Sequence, residues 1–202
     1  MKISFIGTGL MGFPMAKNLL KKRLNLKIFN RTLDKADPLE EFGGIITASI
    51  SETVKETDII FTMLTDDNAV EKVLGDQEFI NNLKPSSTVI DMSSINPKIA
   101  IKYGKLLKEK NINFLDAPVS GGTIGAEEGN LAIMVGGDQK VFDNVFDVLK
   151  IMGNPTLVGP IGSGQVSKLA NQIIVGVTIG AVAEAITLCE KAGVDANKFI
   201  KA

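Results

Sequence analysis

Lys2-Ile3-Ser4-Phe5-Ile6-Gly7-Thr8-Gly9-Leu10-Met11-Gly12 opens the chain after Met1. A short apolar run ends in G-x-G-x-x-G, and helix-like sequence follows from Leu10 to Lys22. In a strand–turn–helix unit each glycine has a reason. Gly7 permits the tight turn, Gly9 lets the backbone approach a pyrophosphate, and Gly12 allows close helix–strand packing, with Thr8, Leu10 and Met11 in the same turn. Phe13 follows Gly12, so the Gly-Lys-Ser/Thr of a P-loop is missing. A glycine-rich turn with no ligand is the alternative, and the strand before and helix after it weigh against that.

Working outward, short apolar runs alternate with amphipathic stretches. Strands are expected at 2–7, 26–30, 58–63, 88–92, 112–118, 131–135 and 156–158, and helices at 10–22, 33–42, 50–56, 69–74, 97–109 and 139–152. Asn96-Pro97 is a good helix start, an N-cap candidate followed by proline. Such alternation predicts an α/β fold, a Rossmann-type doubly wound and mostly parallel sheet covered on both faces. It stops after Val158. Gly159-Pro160-Ile161-Gly162-Ser163-Gly164 reads as a turn-rich hinge, with helix beyond it to Gly193 and another starting near Asp195. The expected division is a dinucleotide-binding domain over 1–161 and the start of an all-helical domain over 162–202. The apolar segment Ile173–Leu188 is interrupted by Glu184 and reads as a buried helix, Gly176 and Gly180 giving the spacing of a close helix contact.

Composition removes other chemistries. The 202 residues carry 22 basic and 23 acidic side chains, a net charge of −1, so no field attracts nucleic acid or an anionic membrane. The sequence has no histidine, which excludes Ser-His-Asp and Cys-His catalysis and histidine-bound metal. Cys189 is the single cysteine, so no metal thiolate cluster and no internal disulfide is expected, in keeping with a cytoplasmic protein. Proton transfer falls to Lys, Asp, Glu, Tyr, Cys or water. Tyr103 is followed four positions on by Leu107, so a Tyr-x-x-x-Lys pair is absent too.

Three further segments carry candidate chemistry. Eighteen residues after Gly12, where an acidic residue would bind a ribose 2′-hydroxyl, stand Asn30, Arg31 and Thr32. An amide and a guanidinium suit a 2′-phosphate, so NADP is the expected cofactor, NAD being possible, with Arg31 as discriminator. A solvated arginine at a strand end is the plainer alternative. Gly162-Ser163-Gly164-Gln165-Val166-Ser167-Lys168 then places Lys168 on a mainly apolar helix, Asn171 and Gln172 following at helical i+3 and i+4. Desolvation would lower the Lys168 pKa towards acid–base use, whereas a snorkelling lysine would do nothing. Finally, Ser120-Gly121-Gly122 after the Asp116 strand offers a hydroxyl and successive N–H groups to a carboxylate. Glu127 and Glu128 nearby oppose that, and a flexible turn is the alternative.

Taken together, the N-terminal G-x-G-x-x-G, Asp91-Met92-Ser93-Ser94, Asp116 to Gly122 and the G-x-G-x-x-x-K ending in Lys168 resemble the β-hydroxyacid dehydrogenase family along the whole chain. That family includes 3-hydroxyisobutyrate, tartronate semialdehyde, succinic semialdehyde/glyoxylate and 6-phosphogluconate enzymes. The resemblance implies Lys168 as catalytic acid–base and Ser120, Gly121 and Gly122 on the substrate carboxylate, with Asn171 orienting the substrate. It implies Met63, Leu64 and Ser94 beside the nicotinamide and Asn30, Arg31 and Thr32 at the adenosine ribose. Many members carry asparagine where this chain has Gln172. The run from Lys168 to Gln172 looks instead like the tartronate semialdehyde branch, and Asn30-Arg31-Thr32 like the NADP-dependent glyoxylate and succinic semialdehyde enzymes, so the substrate stays open. The resemblance also implies that the helical domain continues beyond Ala202 and that the full-length form is a homo-oligomer. Two rivals stand beside it, a non-catalytic dinucleotide-binding module and an imine reductase on the same architecture.

Overall fold

The computed structural model describes residues 1–202. Its first strand, β1 (Lys2–Ile6), is buried from Ile3 onward because parallel neighbours flank it on both sides. Helix α1 (Gly12–Lys21) returns the chain to β2 (Asn25–Phe29), and two short 3-10 turns, Leu33–Lys35 and Asp37–Phe42, lead to β3 (Ile45–Ile46). Next come α2 (Ile50–Val54), β4 (Ile59–Thr62), α3 (Asp67–Leu74), α4 (Gln77–Asn82), β5 (Thr88–Asp91), α5 (Pro97–Glu109) and β6 (Asn113–Asp116). The sheet order β3-β2-β1-β4-β5-β6 is parallel throughout, a doubly wound arrangement as the alternation predicts.

Beyond β6 the sheet changes character. Strand β7 (Val119–Ser120), helix α6 (Gly122–Glu128), strand β8 (Leu131–Gly136), helix α7 (Gln139–Lys150) and strand β9 (Gly153–Gly159) complete it. β8 runs antiparallel to β6 and β7, and β9 is an edge strand parallel to β8, a position that tolerates Pro155.

Alternation along each central strand sends side chains to opposite faces and builds two cores. Phe5 and Phe61 lie on one face with Met15, Leu19 and Leu149, their rings 5.9 Å apart. Ile6 and Ile60 point the other way, into Phe79, Val89, Tyr103 and Phe114.

Met1–Lys168 form one compact unit and Leu169–Ala202 a second. Helix α8 (Ser163–Lys191) has 29 residues, and α9 (Ala196–Lys201) starts on Asp195, whose carboxylate accepts from Asn197 and Lys198 N–H.

Several expectations need correction. Residues 33–42 form no α-helix: Pro38 lacks an N–H and disfavours a helical residue before it, so the chain breaks into 3-10 turns. In the segment 159–164, expected as a hinge, Gly162 and Gly164 are buried, and Gly162 and the following Gln165 donate backbone N–H groups to Asp116. Ile173–Leu188, expected as a buried helix, is not covered by other residues of this chain. In α8 only Gly164 and Gln165 are buried, while Ile173, Ile174, Val177 and Ile179 each expose about two thirds of their surface. That helix is long and apolar enough to cross a membrane by length and composition alone. A Cβ on Gly176 or Gly180 would meet nothing within 4 Å beyond its own helix, so the close contact implied by their spacing is not made within this chain.

Candidate functional site

All the parallel strands end on the same side of the sheet, and the direction of winding reverses between β1 and β4. Ligands of open α/β sheets settle in the crevice at such a switch point. The glycine turn leaves β1 there and Met63-Leu64 leaves β4. Gly7 has φ +99°, and a Cβ on it would collide with the Met63 carbonyl oxygen. A Cβ on Gly12 would collide with the Gly7 carbonyl oxygen, so both glycines are required by packing. Gly9 differs, with nothing within 4 Å of its would-be Cβ. Its backbone is open to a ligand. No side chain caps the N-terminus of α1, and the buried Thr8 hydroxyl has no hydrogen-bond partner. An open backbone, an uncapped helix start and an orphaned hydroxyl together fit a dinucleotide pyrophosphate.

The ribose-side residues follow β2. Asn30 is half-buried and its amide ties the loop together, Oδ1 accepting from Thr8 N–H at 2.9 Å and Nδ2 donating to the Thr32 carbonyl at 2.7 Å. Arg31 and Thr32 are exposed. A cleft of about 570 Å³ opens beside the turn, lined by Thr8, Gly9, Leu10, Lys17, Lys35 and Glu127 among others. Met63, Leu64, Ser94 and Lys168 take no part in that lining, so the cleft abuts the turn from the α1 side, away from the candidate chemistry.

At the end of β4, the Leu64 N–H donates to Ser93 Oγ at 2.9 Å, and Ser93 Oγ donates to Asp91 Oδ1 at 2.7 Å. Thr62 Oγ1 donates to the same carboxylate oxygen at 2.7 Å, while Oδ2 is buried without a partner. Burial pushes the Asp91 pKa up to about 6, against the pull of the Ser93 and Thr62 hydrogen bonds. Ser93 thus fixes the Leu64 backbone, whereas Ser94 is exposed. The family resemblance assigns a role to Ser94 and none to the neighbouring Ser93.

Two other residues escaped it. Asp116 is buried at the end of β6, where Oδ1 accepts from Gly162 N–H at 2.7 Å and Oδ2 from Gln165 N–H at 2.9 Å. Burial raises the Asp116 pKa and these backbone donors oppose the rise. Gln165, 1% exposed, donates through Nε2 to the Ser93 carbonyl at 2.8 Å and accepts at Oε1 from Ile95 N–H at 3.0 Å. A carboxylate following the apolar pair Phe114-Leu115 at the end of a strand is the available signal for the first. Nothing local marks Gln165.

Lys168 is half-buried on α8, and burial lowers its pKa from the ordinary 10.5. Ser120 is half-buried in β7, and Gly121 and Gly122 follow with φ of +140° and +62°, backbone states that favour glycine. The flexible turn weighed as the alternative to a carboxylate cup is instead the start of α6. Asn171 and Gln172 belong to the second unit, where Asn171 Nδ2 lies 3.4 Å from Gln172 Oε1.

Comparison with known proteins bears on this arrangement. The NAD-binding domain of 6-phosphogluconate dehydrogenase matches residues 2–176, and the NAD-binding domain of NADP-dependent 3-hydroxyisobutyrate dehydrogenase matches residues 162–202. The 2-hydroxy-3-oxopropionate reductase of Escherichia coli is 43% identical over 198 residues, 96% of this chain and 67% of that protein. The structure of Mycobacterium tuberculosis 3-hydroxyisobutyrate dehydrogenase with L-serine superposes with a TM-score of 0.91 at 33% identity, covering 96% of this chain and 66% of that one. An imine reductase from Myxococcus stipitatus in complex with NADP+ gives a TM-score of 0.90 at 22% identity, over 100% of this chain and 71% of its own, a likeness of fold alone. The chain spans about two thirds of the length of such relatives.

Proposed function

The chain belongs to the NAD(P)-dependent β-hydroxyacid dehydrogenase family of 3-hydroxyisobutyrate and 6-phosphogluconate dehydrogenases, and from that premise we propose that it interconverts a small β-hydroxy acid and its semialdehyde with Lys168 as general acid–base. One observation carries the role of Lys168. It is a half-buried amine whose pKa burial lowers, on a helix that Gln165 joins to the strand end where Ser93 holds Leu64.

A bound nicotinamide dinucleotide supplies the hydride donor in reduction and the hydride acceptor in oxidation. The turn from Gly7 to Gly12, with Thr8, Leu10 and Met11, would hold its pyrophosphate. Asn30, Arg31 and Thr32 would hold the adenosine ribose, Arg31 favouring a 2′-phosphate and hence NADP. Met63, Leu64 and Ser94 would border the nicotinamide. Ser120, Gly121 and Gly122 hold the substrate carboxylate, and Asn171 and Gln172 orient the rest of the molecule. Protonated Lys168 donates to the carbonyl oxygen as negative charge develops there, and neutral Lys168 takes the proton back in the reverse direction.

The substrate class comprises 2-hydroxy-3-oxopropionate, 3-hydroxyisobutyrate, glyoxylate and succinic semialdehyde. The protein acts in the cytoplasm and, in its full-length form, as a homo-oligomer. A panel of these acids and aldehydes beside cyclic imines, followed by NADPH absorbance, tests the reading. Turnover of at least one semialdehyde is expected. Reduction of imines with none of the aldehydes would contradict it.

A further inference from the structure

Asp116 and Gln165 take no part in that chemistry, yet both are buried polar side chains with their hydrogen-bonding groups engaged. Burying a carboxylate and an amide is costly unless each group is satisfied, so what they satisfy indicates their use. They hold the start of α8. Six other helices are capped by the residue at their own N-cap: Ser49, Asp66, Asp76, Asn96, Asp138 and Asp195. Such a local cap stabilises a helix but leaves its position on the sheet to packing. The carboxylate at the start of α8 comes from the end of β6, 46 residues before Gly162 and 49 before Gln165. A remote cap fixes where the helix begins relative to the sheet.

The seat is built for it. A Cβ on Gly164 would lie 2.8 Å from Asp116 Oδ2 and 2.6 Å from its carbonyl oxygen, and a Cβ on Gly136 would collide with Oδ1. Both glycines clear room for the carboxylate. An anion at a helix N-terminus is favoured by the helix dipole as well as by its hydrogen bonds. Gln165 adds a second tie, one residue of α8 bonded to both Ser93 and Ile95 of the loop after β5. Lys168 follows Gln165 by three residues, on the same side of the helix and about 4.5 Å further along its axis.

We propose that Asp116 and Gln165 are positioning residues for Lys168, fixing the first turn of its helix against the ends of β5 and β6 so that its amine meets the substrate carbonyl at a productive distance. The proposal rests on the reading of Lys168 as acid–base, and the experiment separates the two. Gln165→Met keeps length and volume but loses both hydrogen bonds. Asp116→Asn keeps shape but turns an amide N–H towards a backbone donor. With the protein's best substrate, each variant is expected to lose about 10- to 100-fold in kcat while its dissociation constant for NADPH stays within about twofold, because loss of positioning slows turnover and spares the cofactor turn. In the Lys168→Ala background, Gln165→Met is expected to change the residual rate by less than about twofold, since the two act through one group. Should Asp116→Asn fail to fold, Gln165→Met decides alone. Unchanged kcat in Gln165→Met, or a fall in kcat matched by an equal fall in NADPH affinity, overturns the positioning role. If Lys168→Ala itself keeps full turnover, the acid–base reading has failed instead.

Discussion

The side-chain oxygen of Asn30 accepts a 2.9 Å hydrogen bond from the backbone N–H of Thr8, 22 residues earlier, and so fastens the loop after β2 to the glycine turn after β1. The other end of the amide holds the Thr32 carbonyl at 2.7 Å. Asn30 therefore works as an internal clasp at a position where an NAD enzyme would present a carboxylate to the ribose. That leaves the exposed Arg31 as the charged group available beside the clasp.

Arg31→Ala follows from this. Loss of a charge-assisted contact to a 2′-phosphate is worth about 1.5–3 kcal/mol, or roughly 10- to 150-fold in kcat/KM for NADPH. The expected kcat/KM for NADH is unchanged. Steady-state kinetics with both cofactors checks this, and an Arg31→Ala enzyme that keeps its NADPH preference refutes it.

The glycines of the turn separate folding from binding. Gly12→Ala puts a methyl group into the Gly7 carbonyl oxygen and is expected to lower the thermal midpoint sharply. Gly9→Ala meets no atom within 4 Å, so the midpoint should move little, while the methyl group occupies space the pyrophosphate needs. Melting curves and NADPH titrations on both variants test this. Equal thermal losses, or unimpaired cofactor binding by Gly9→Ala, would contradict it.

Asp91 gives stability a pH dependence. Its folded-state pKa of about 6 lies above the ordinary 3.8 because burial disfavours the charge. Between those values the native state binds more protons than the unfolded state. Stability from this group is therefore present below pH 4 and lost as pH rises through 6, by roughly 3 kcal/mol in all. Asp91→Asn removes that slope. In urea unfolding, the variant is expected to gain on the wild type as pH rises from 4 to 7; a difference that stays constant over the range contradicts the assignment.

The legible and the illegible differ in sequence range. Asn96-Pro97 marked the start of α5 because capping is a matter of adjacent residues, with Asn96 Oδ1 accepting from Lys98 N–H at 3.0 Å. The glycine turn was legible for the same reason. Strands β3 and β7, two residues each, are too short to show any period. α6 is not among the expected helices because Gly121-Gly122 resembles a turn, and the φ of +140° at Gly121 shows that the chain does turn there before the helix begins. Ser93 and Gln165 were missed because Gln165 reaches back 72 residues to the Ser93 carbonyl, and no local pattern encodes such a contact. In the candidate site, the groups named for chemistry carried signatures in the sequence. The groups that hold the helix bearing Lys168 in place emerged only from the folded chain.

Lys168→Ala, assayed for turnover and for NADPH binding in the same preparation, isolates the acid–base role of Lys168. A loss of about 10²- to 10⁴-fold in kcat is expected, the usual contribution of a positioned acid–base group, with cofactor affinity intact. A variant that binds NADPH and turns over within a few fold of the parent would contradict it.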